Sequence, residues 1–192
     1  MTRIDGSVFR LSLLLIMLTL SSIPSFADAV TFMGTTSGGS AFNRPIDNGN
    51  NPPTALSNLG TAVHYSLTQL SVSVSGSYDF SSVQNYDGFL VLYFNSFNPV
   101  SPLLNALIAN DDDLDFGTSG FTINLTASTN YFLITTGALN SDFGTFTNTI
   151  TGPGQILLDG TAAVPEPATV LLLSTGLAGV VVRARSRRRW SE

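Results

Sequence analysis

The chain is 192 residues long, with 43% apolar and only 11% charged residues, well under the ~25% charged content usual for soluble domains. It contains no Lys, no Cys and one His, which excludes a lysine-dependent phosphate loop, cysteine-based zinc or nucleophile chemistry, a disulfide framework and an HExxH metal site. Between residues 28 and 167 the only base is Arg44, against ten Asp and Glu166, so that span carries 1 − 11 = −10 and would be repelled by nucleic acid.

Residues 1–27 read as a secretory signal peptide. Arg3 and Arg10 flank the start, Leu11–Leu20 is an apolar run too short to span a bilayer, and the small residues before Ala27 suit signal cleavage. Cleavage is placed after Ala27, with Ala29 as the alternative. Residues 28–59 are expected to hold an N-terminal strand followed by a long loop or cover (Thr35–Pro53).

From there to about residue 160 the signals are those of strands. Leu70–Tyr78 alternates apolar and serine positions and reads as one strand, and Val63, Tyr65 and Leu67 repeat the pattern. Phe121, Ile123 and Leu125 alternate with Thr122, Asn124 and Thr126, and Phe146 and Ile150 oppose Thr145, Thr147 and Thr149. Phe89–Phe94 and Tyr131–Ile134 are continuously apolar, as expected of strands covered on both faces. Asn48-Gly49, Tyr86-Asp87-Gly88 and Ser119-Gly120 read as turns. Phe94, Phe97 and Asn98 fall in a long loop and are read as free to meet a ligand. No regular Thr-x-Thr array is read as a flat binding face. The expected fold is all-β: an antiparallel, jelly-roll-like β-sandwich of about eight strands over 60–160. It would be flanked by the signal peptide and a C-terminal single transmembrane helix.

Asn110-Asp111-Asp112-Asp113-Leu114-Asp115 is the only charge cluster of the body. Oxygen ligands at alternate positions suit Ca²⁺, so Asp111, Asp113 and Asp115 are candidate ligands, with Asp87 completing the set from another loop. An EF-hand is excluded, because Phe116 and Thr122 stand where Gly and Glu are required. The competing reading is a turn capped by Asn and Asp side chains. A structural Ca²⁺ is the one cofactor the pattern admits. His64, the only base for a catalytic triad, is accompanied by no GxSxG, so no catalytic residue is assigned.

The tail, 161–192, has three parts. Val164-Pro165-Glu166-Pro167 is stiff and extended. Ala168–Val182 is uncharged and, as a helix, would rise roughly 22 Å, short of a ~30 Å hydrocarbon core. The basic tail 183–192 carries Arg183, Arg185, Arg187, Arg188 and Arg189, which would stay cytoplasmic. With an exported N-terminus, the body would then lie outside the inner membrane.

This order of Pro165-Glu166-Pro167, an apolar span with Gly176-Leu177-Ala178-Gly179, and terminal arginines resembles the PEP-CTERM sorting signal of Gram-negative bacteria. That resemblance implies a membrane exosortase as partner beside the secretion machinery. It also implies passage through the inner membrane to the cell surface or extracellular matrix, and association with exopolysaccharide or biofilm. The body resembles the bacterial pre-peptidase C-terminal (PPC-like) domain. The matching pieces are Ser77–Phe80, Tyr86–Tyr93, Leu107–Asp113, Ser119–Phe121 and Leu125–Gly137, and they imply a non-catalytic accessory sandwich. The alternatives kept open are a lectin-like or calcium-dependent glycan-binding module and, behind it, a secreted hydrolase.

Overall fold

The computed structural model describes residues 28–49, 51–112 and 117–159. They form ten strands: β1 (Asp28–Thr35), β2 (Ala41–Phe42), β3 (Val63–Val72), β4 (Gly76–Gln84), β5 (Gly88–Phe94), β6 (Ala106–Asn110), β7 (Thr118–Leu125), β8 (Tyr131–Gly137), β9 (Thr145–Gly152) and β10 (Ile156–Leu158). β1-β9-β4-β7 make a four-stranded sheet, and β10-β3-β8-β5-β6 make a second, with β2 attached to β3. The strand pairings among the described residues are antiparallel. The all-β antiparallel sandwich is therefore present, with ten strands rather than about eight. The strand expected within 28–59 is β1, and it joins the sandwich through eight register pairs with β9.

Strand parity sets the core. Leu90 and Leu92 of β5 point between the sheets, with Leu70, Val72, Tyr78, Phe80, Leu133 and Ile150. Phe89, Val91 and Tyr93 of the same strand point to the outer face, where Phe42, Val63 and Ile134 meet them. The apolar run Phe89–Tyr93 is thus buried on both faces, and the cover is the segment between β1 and β3 together with Phe97. Phe97 packs its ring on Phe42, Tyr65 and Tyr93 at centroid distances of 5.3, 5.2 and 4.8 Å. It is part of that cover rather than a free contact residue, whereas Phe94 remains exposed.

Three local readings change. The alternating stretch Leu70–Tyr78 is a hairpin, β3 turning into β4 through Ser73–Ser75, with Ser73 N–H donating to Gln155 O at 2.9 Å. Ser119-Gly120 lies inside β7. On the outer face of the four-stranded sheet, Thr145, Thr147, Thr149 and Thr151 recur along β9, with Thr31 opposite Thr149 and Thr35 opposite Thr145 on β1. A Thr-x-Thr array is therefore present, and the Thr31 and Thr149 hydroxyls lie 3.0 Å apart.

One inward position on β9 is polar. Asn148 is buried; its Oδ1 accepts from Ser82 Oγ, and its Nδ2 donates to Thr135 Oγ1 at 2.8 Å. These bonds tie the two sheets together near the end of the sandwich that carries the acids.

Candidate cation site at one end of the sandwich

The β4–β5, β6–β7 and β8–β9 connections emerge at one end, joined by the segment between β1 and β3. Asp87 ends the β4–β5 turn, and its carbonyl accepts from Ala138 N–H at 3.0 Å. Asp111 and Asp112 follow β6. Ser119 Oγ donates to Asp111 O at 2.7 Å, Gly120 N–H donates to Asn110 Oδ1 at 2.8 Å, and Asp111 N–H donates to Asp47 Oδ2 at 3.2 Å. Carboxylate oxygens of Asp87, Asp111 and Asp112 thereby lie within 4.8 Å of one another. Oδ1 of Asp87 and Oδ1 of Asp111 are buried with no hydrogen-bond partner. Such orphaned acceptors are rare in folded chains and call for water or an ion.

Arg44 supplies the nearby positive charge. It is buried, with Nε donating to Ala138 O at 2.8 Å and Nη1 donating to Pro45 O at 3.1 Å, and it sits 4.0 Å from the Phe89 ring centroid. Its hydrogen bonds go to carbonyls, so it offsets the acids through space. A Cβ at Gly60 would stand 2.7 Å from Arg44 Nε and 2.8 Å from Ala138 O, which is why a glycine closes the loop there. Burial lowers the Arg44 pKa, opposed by Asp111, Asp87, Asp47 and Asp142. Burial pushes Asp111 up to about 6; Arg44 opposes this, and Asp87, Asp112 and Asp47 add to it. Asp87 is also raised, by burial first and then by Asp112 and Asp142. Four carboxylates act on one guanidinium, and Asp112 adds a further negative charge beside Asp87 and Asp111, so the ionised acids are under-compensated.

Of the sequence-derived candidates, Asp87 and Asp111 are brought together. Asp112, not singled out by the alternating pattern, stands beside them. Asp113 and Asp115 lie outside the described residues, as do the sorting motif Val164–Pro167 and the arginine tail. His64 Nδ1 is 2.6 Å from Gly39 O, and its ring meets Phe143 edge-on at 5.6 Å. Arg44, Asp47 and Asp142 were not identified from the sequence. The one available signal was that Arg44 is the sole base of an acidic body. Among the described residues no helix is long and apolar enough to cross a membrane; the apolar run 168–182 lies outside them.

Residues 163–189 match the PEP-CTERM protein-sorting motif. The chain therefore carries an exosortase-type sorting signal, and with it the mark of an exported protein. No curated protein matches the sequence. Among solved structures, the chain is similar to the pre-peptidase C-terminal domain of a collagenase from Bacillus anthracis. The identity is 15%, the match covers 63% of this chain and 87% of that chain, and the TM-score is 0.39. It is also similar to CBM35 from Cellvibrio japonicus Abf62, at 10% identity, 69% and 100% coverage and a TM-score of 0.37. A family 35 carbohydrate binding module from an environmental isolate matches at 14% identity, 68% and 99% coverage and a TM-score of 0.37. The sandwich itself is defined by the strand pairing described above.

Proposed function

We propose that this chain is a non-catalytic β-sandwich module, exported and held at the inner membrane by its tail. An exosortase then sorts it to the cell surface or matrix, where it associates with exopolysaccharide. The carrying observation is the sorting motif at residues 163–189. The acidic, lysine-free body suits a hydrated extracellular surface. Fractionation of cells with and without the sorting enzyme tests the route. Surface or matrix protein that becomes trapped in the inner membrane without the enzyme supports it; unchanged distribution overturns it. Retention on immobilised exopolysaccharide tests the final association.

The same body binds a structural Ca²⁺ between Asp87, Asp111 and Asp112, with Asp113 and Asp115 as further candidates from the adjoining segment. The support is the three carboxylates within 4.8 Å and the two buried, unpartnered Oδ1 atoms. A bound divalent ion would satisfy those acceptors and offset the burial, and after it the mutual repulsion, that raise both pKa values. Millimolar Ca²⁺ is expected to raise the melting temperature of the wild type and not of Asp87→Asn/Asp111→Asn. No shift in the wild type overturns the site.

A further inference from the structure

The two ends of the sandwich differ in charge. The segments beside the candidate cation site carry Arg44, Asp47, Asp87, Asp111, Asp112 and Asp142. The loops at the opposite end, 73–75, 95–105, 126–130 and 153–155, carry no charged residue; Asp28, at the start of β1, lies beside them and accepts from Ile156 N–H through Oδ2 at 3.2 Å. Those uncharged loops display large apolar side chains. Val100 is 87% exposed, Leu104 56%, Val74 44%, Phe94 39% and Leu103 36%. Single exposed apolar residues are ordinary on protein surfaces, but clustered ones mark a contact site.

The β5–β6 loop that carries most of them is built to hold its shape. Tyr93 Oη donates to Pro102 O at 2.8 Å, and Val100 N–H donates to Asn98 Oδ1 at 3.0 Å. Leu104 N–H donates to Ser101 O at 3.0 Å, Asn105 Nδ2 donates to Ser96 Oγ at 2.9 Å, and Asn95 N–H donates to Asn130 O at 2.9 Å. Phe97 is locked into the ring cluster beneath. The apolar tip is therefore presented outward by a supported loop.

The chain leaves the sandwich in the same half. β10 pairs with the last residues of β3, Val72 to Leu70, and Asp159 N–H donates to Gln69 O at 2.8 Å. Ser128 N–H donates to Val72 O at 2.9 Å, which places the 126–130 loop beside that end of β3. From Asp159, the eight residues 160–167 reach at most ~29 Å before the apolar stretch 168–182 begins. β10 stands three strand positions from β5 in the sheet, or roughly 14 Å. A bilayer holding residues 168–182 is thus within tether length of the 94–104 loop. The carboxylates of the acidic end are costly to bring against a bilayer surface.

We propose that the 94–104 loop is a lipid-docking surface. Val100, Leu103 and Leu104 enter the interfacial region of the leaflet to which the tail tethers the chain, setting the body upright with its acidic end outward. This rests on the anchored-tail reading above.

The chain has no cysteine, so Val100→Cys in the full-length protein can carry a single environment-sensitive fluorophore. Thr147→Cys, on the outer face of the other sheet, is the control. Both are reconstituted into vesicles of phosphatidylethanolamine and phosphatidylglycerol, with and without brominated acyl chains. The expected result is blue-shifted emission and at least about twofold quenching by bromolipid at position 100, with neither at 147. Leu103→Ser/Leu104→Ser should cut the quenching severalfold. A probe at position 100 that is as hydrated as the one at 147 overturns the proposal. So does a blue shift that follows protein density without bromolipid quenching, which would assign the tip to a second copy. Failure of the protein to float with the vesicles overturns the anchored tail itself; flotation with an unquenched position 100 overturns the docking alone.

Discussion

Replacing Arg44 with Met separates the two roles of the buried guanidinium. Met preserves much of the aliphatic volume and removes the donors and the charge. Two hydrogen bonds to carbonyls are lost, at 2.8 and 3.1 Å, each worth about 1.5–3 kcal/mol when the donor is charged. The contact over the Phe89 ring, at 4.0 Å, adds about 1–2 kcal/mol in a desolvated setting. Relief of the desolvation that already lowers the Arg44 pKa offsets part of this. A net loss of about 3–4 kcal/mol remains, in line with breaking a buried polar network. For a chain of this size that corresponds to a melting temperature on the order of 10 °C lower.

Ca²⁺ should act in the opposite sense in this variant. The acids around Asp111 lose their only nearby positive charge. In a partly solvated site, a nearby unit charge changes the energy of a divalent ion by on the order of 1–2 kcal/mol. Ca²⁺ affinity should then rise about tenfold. The assay is circular-dichroism melting of wild type and Arg44→Met across a Ca²⁺ titration. A variant that melts within about 2 °C of wild type would refute the role given to the two carbonyl bonds. A Ca²⁺ response weaker than that of wild type would refute the electrostatic coupling.

Further outcomes follow from the same geometry. Asp111 is raised from its ordinary value to about 6, so the folded state holds a proton that the unfolded chain releases. In Ca²⁺-free buffer, stability should therefore fall as pH rises from about 4 to 6 and level off above. Discounted for the partial exposure of the group, the loss is about 1–2 kcal/mol, and melting between pH 4.5 and 7.5 checks it; stability rising over that interval would contradict it. The Ca²⁺-dependent gain should shrink below pH 6, since protonated carboxyls are poor ligands. Asn148→Leu strands Ser82 Oγ and Thr135 Oγ1 between the sheets and should cost about 2–3 kcal/mol in urea unfolding; a neutral result would show that the network adds nothing. Phe97→Ala opens the ring cluster and should cost about 2–3 kcal/mol, with increased proteolysis in the 94–105 loop as the readout; unchanged cleavage would return Phe97 to the status of a free surface residue.

Strand identity was legible wherever a single periodicity governed a stretch. Phe89–Phe94 announced a strand covered on both faces, because neither parity could face water. Phe121–Leu125 and Phe146–Ile150 announced one-sided strands. The β3–β4 hairpin was hidden, because an odd-length turn, Ser73-Val74-Ser75, keeps Val72 and Tyr78 in the same phase and leaves the alternation unbroken. The cation site was legible only in its local part. Alternation pointed to Asp111, which stands at the site, and to Asp113 and Asp115, which lie outside the described residues; Asp112, beside Asp87 and Asp111, fell out of that pattern. Arg44, Asp47 and Asp142 reach that end from segments tens of residues away, so no local pattern could place them. Arg44 still carried a signal in being the body's only cation. The inward Asn148 broke no rule of composition; the parity of its neighbours Phe146 and Ile150 marked it as buried.

The most direct test of the central claim is the intact mass of the protein recovered from the cell surface or matrix. The expected product begins at Asp28 and ends near Pro167, having lost the apolar span and the arginines. A product that retains the full tail, or a full-length chain recovered from the cytosol, would contradict it.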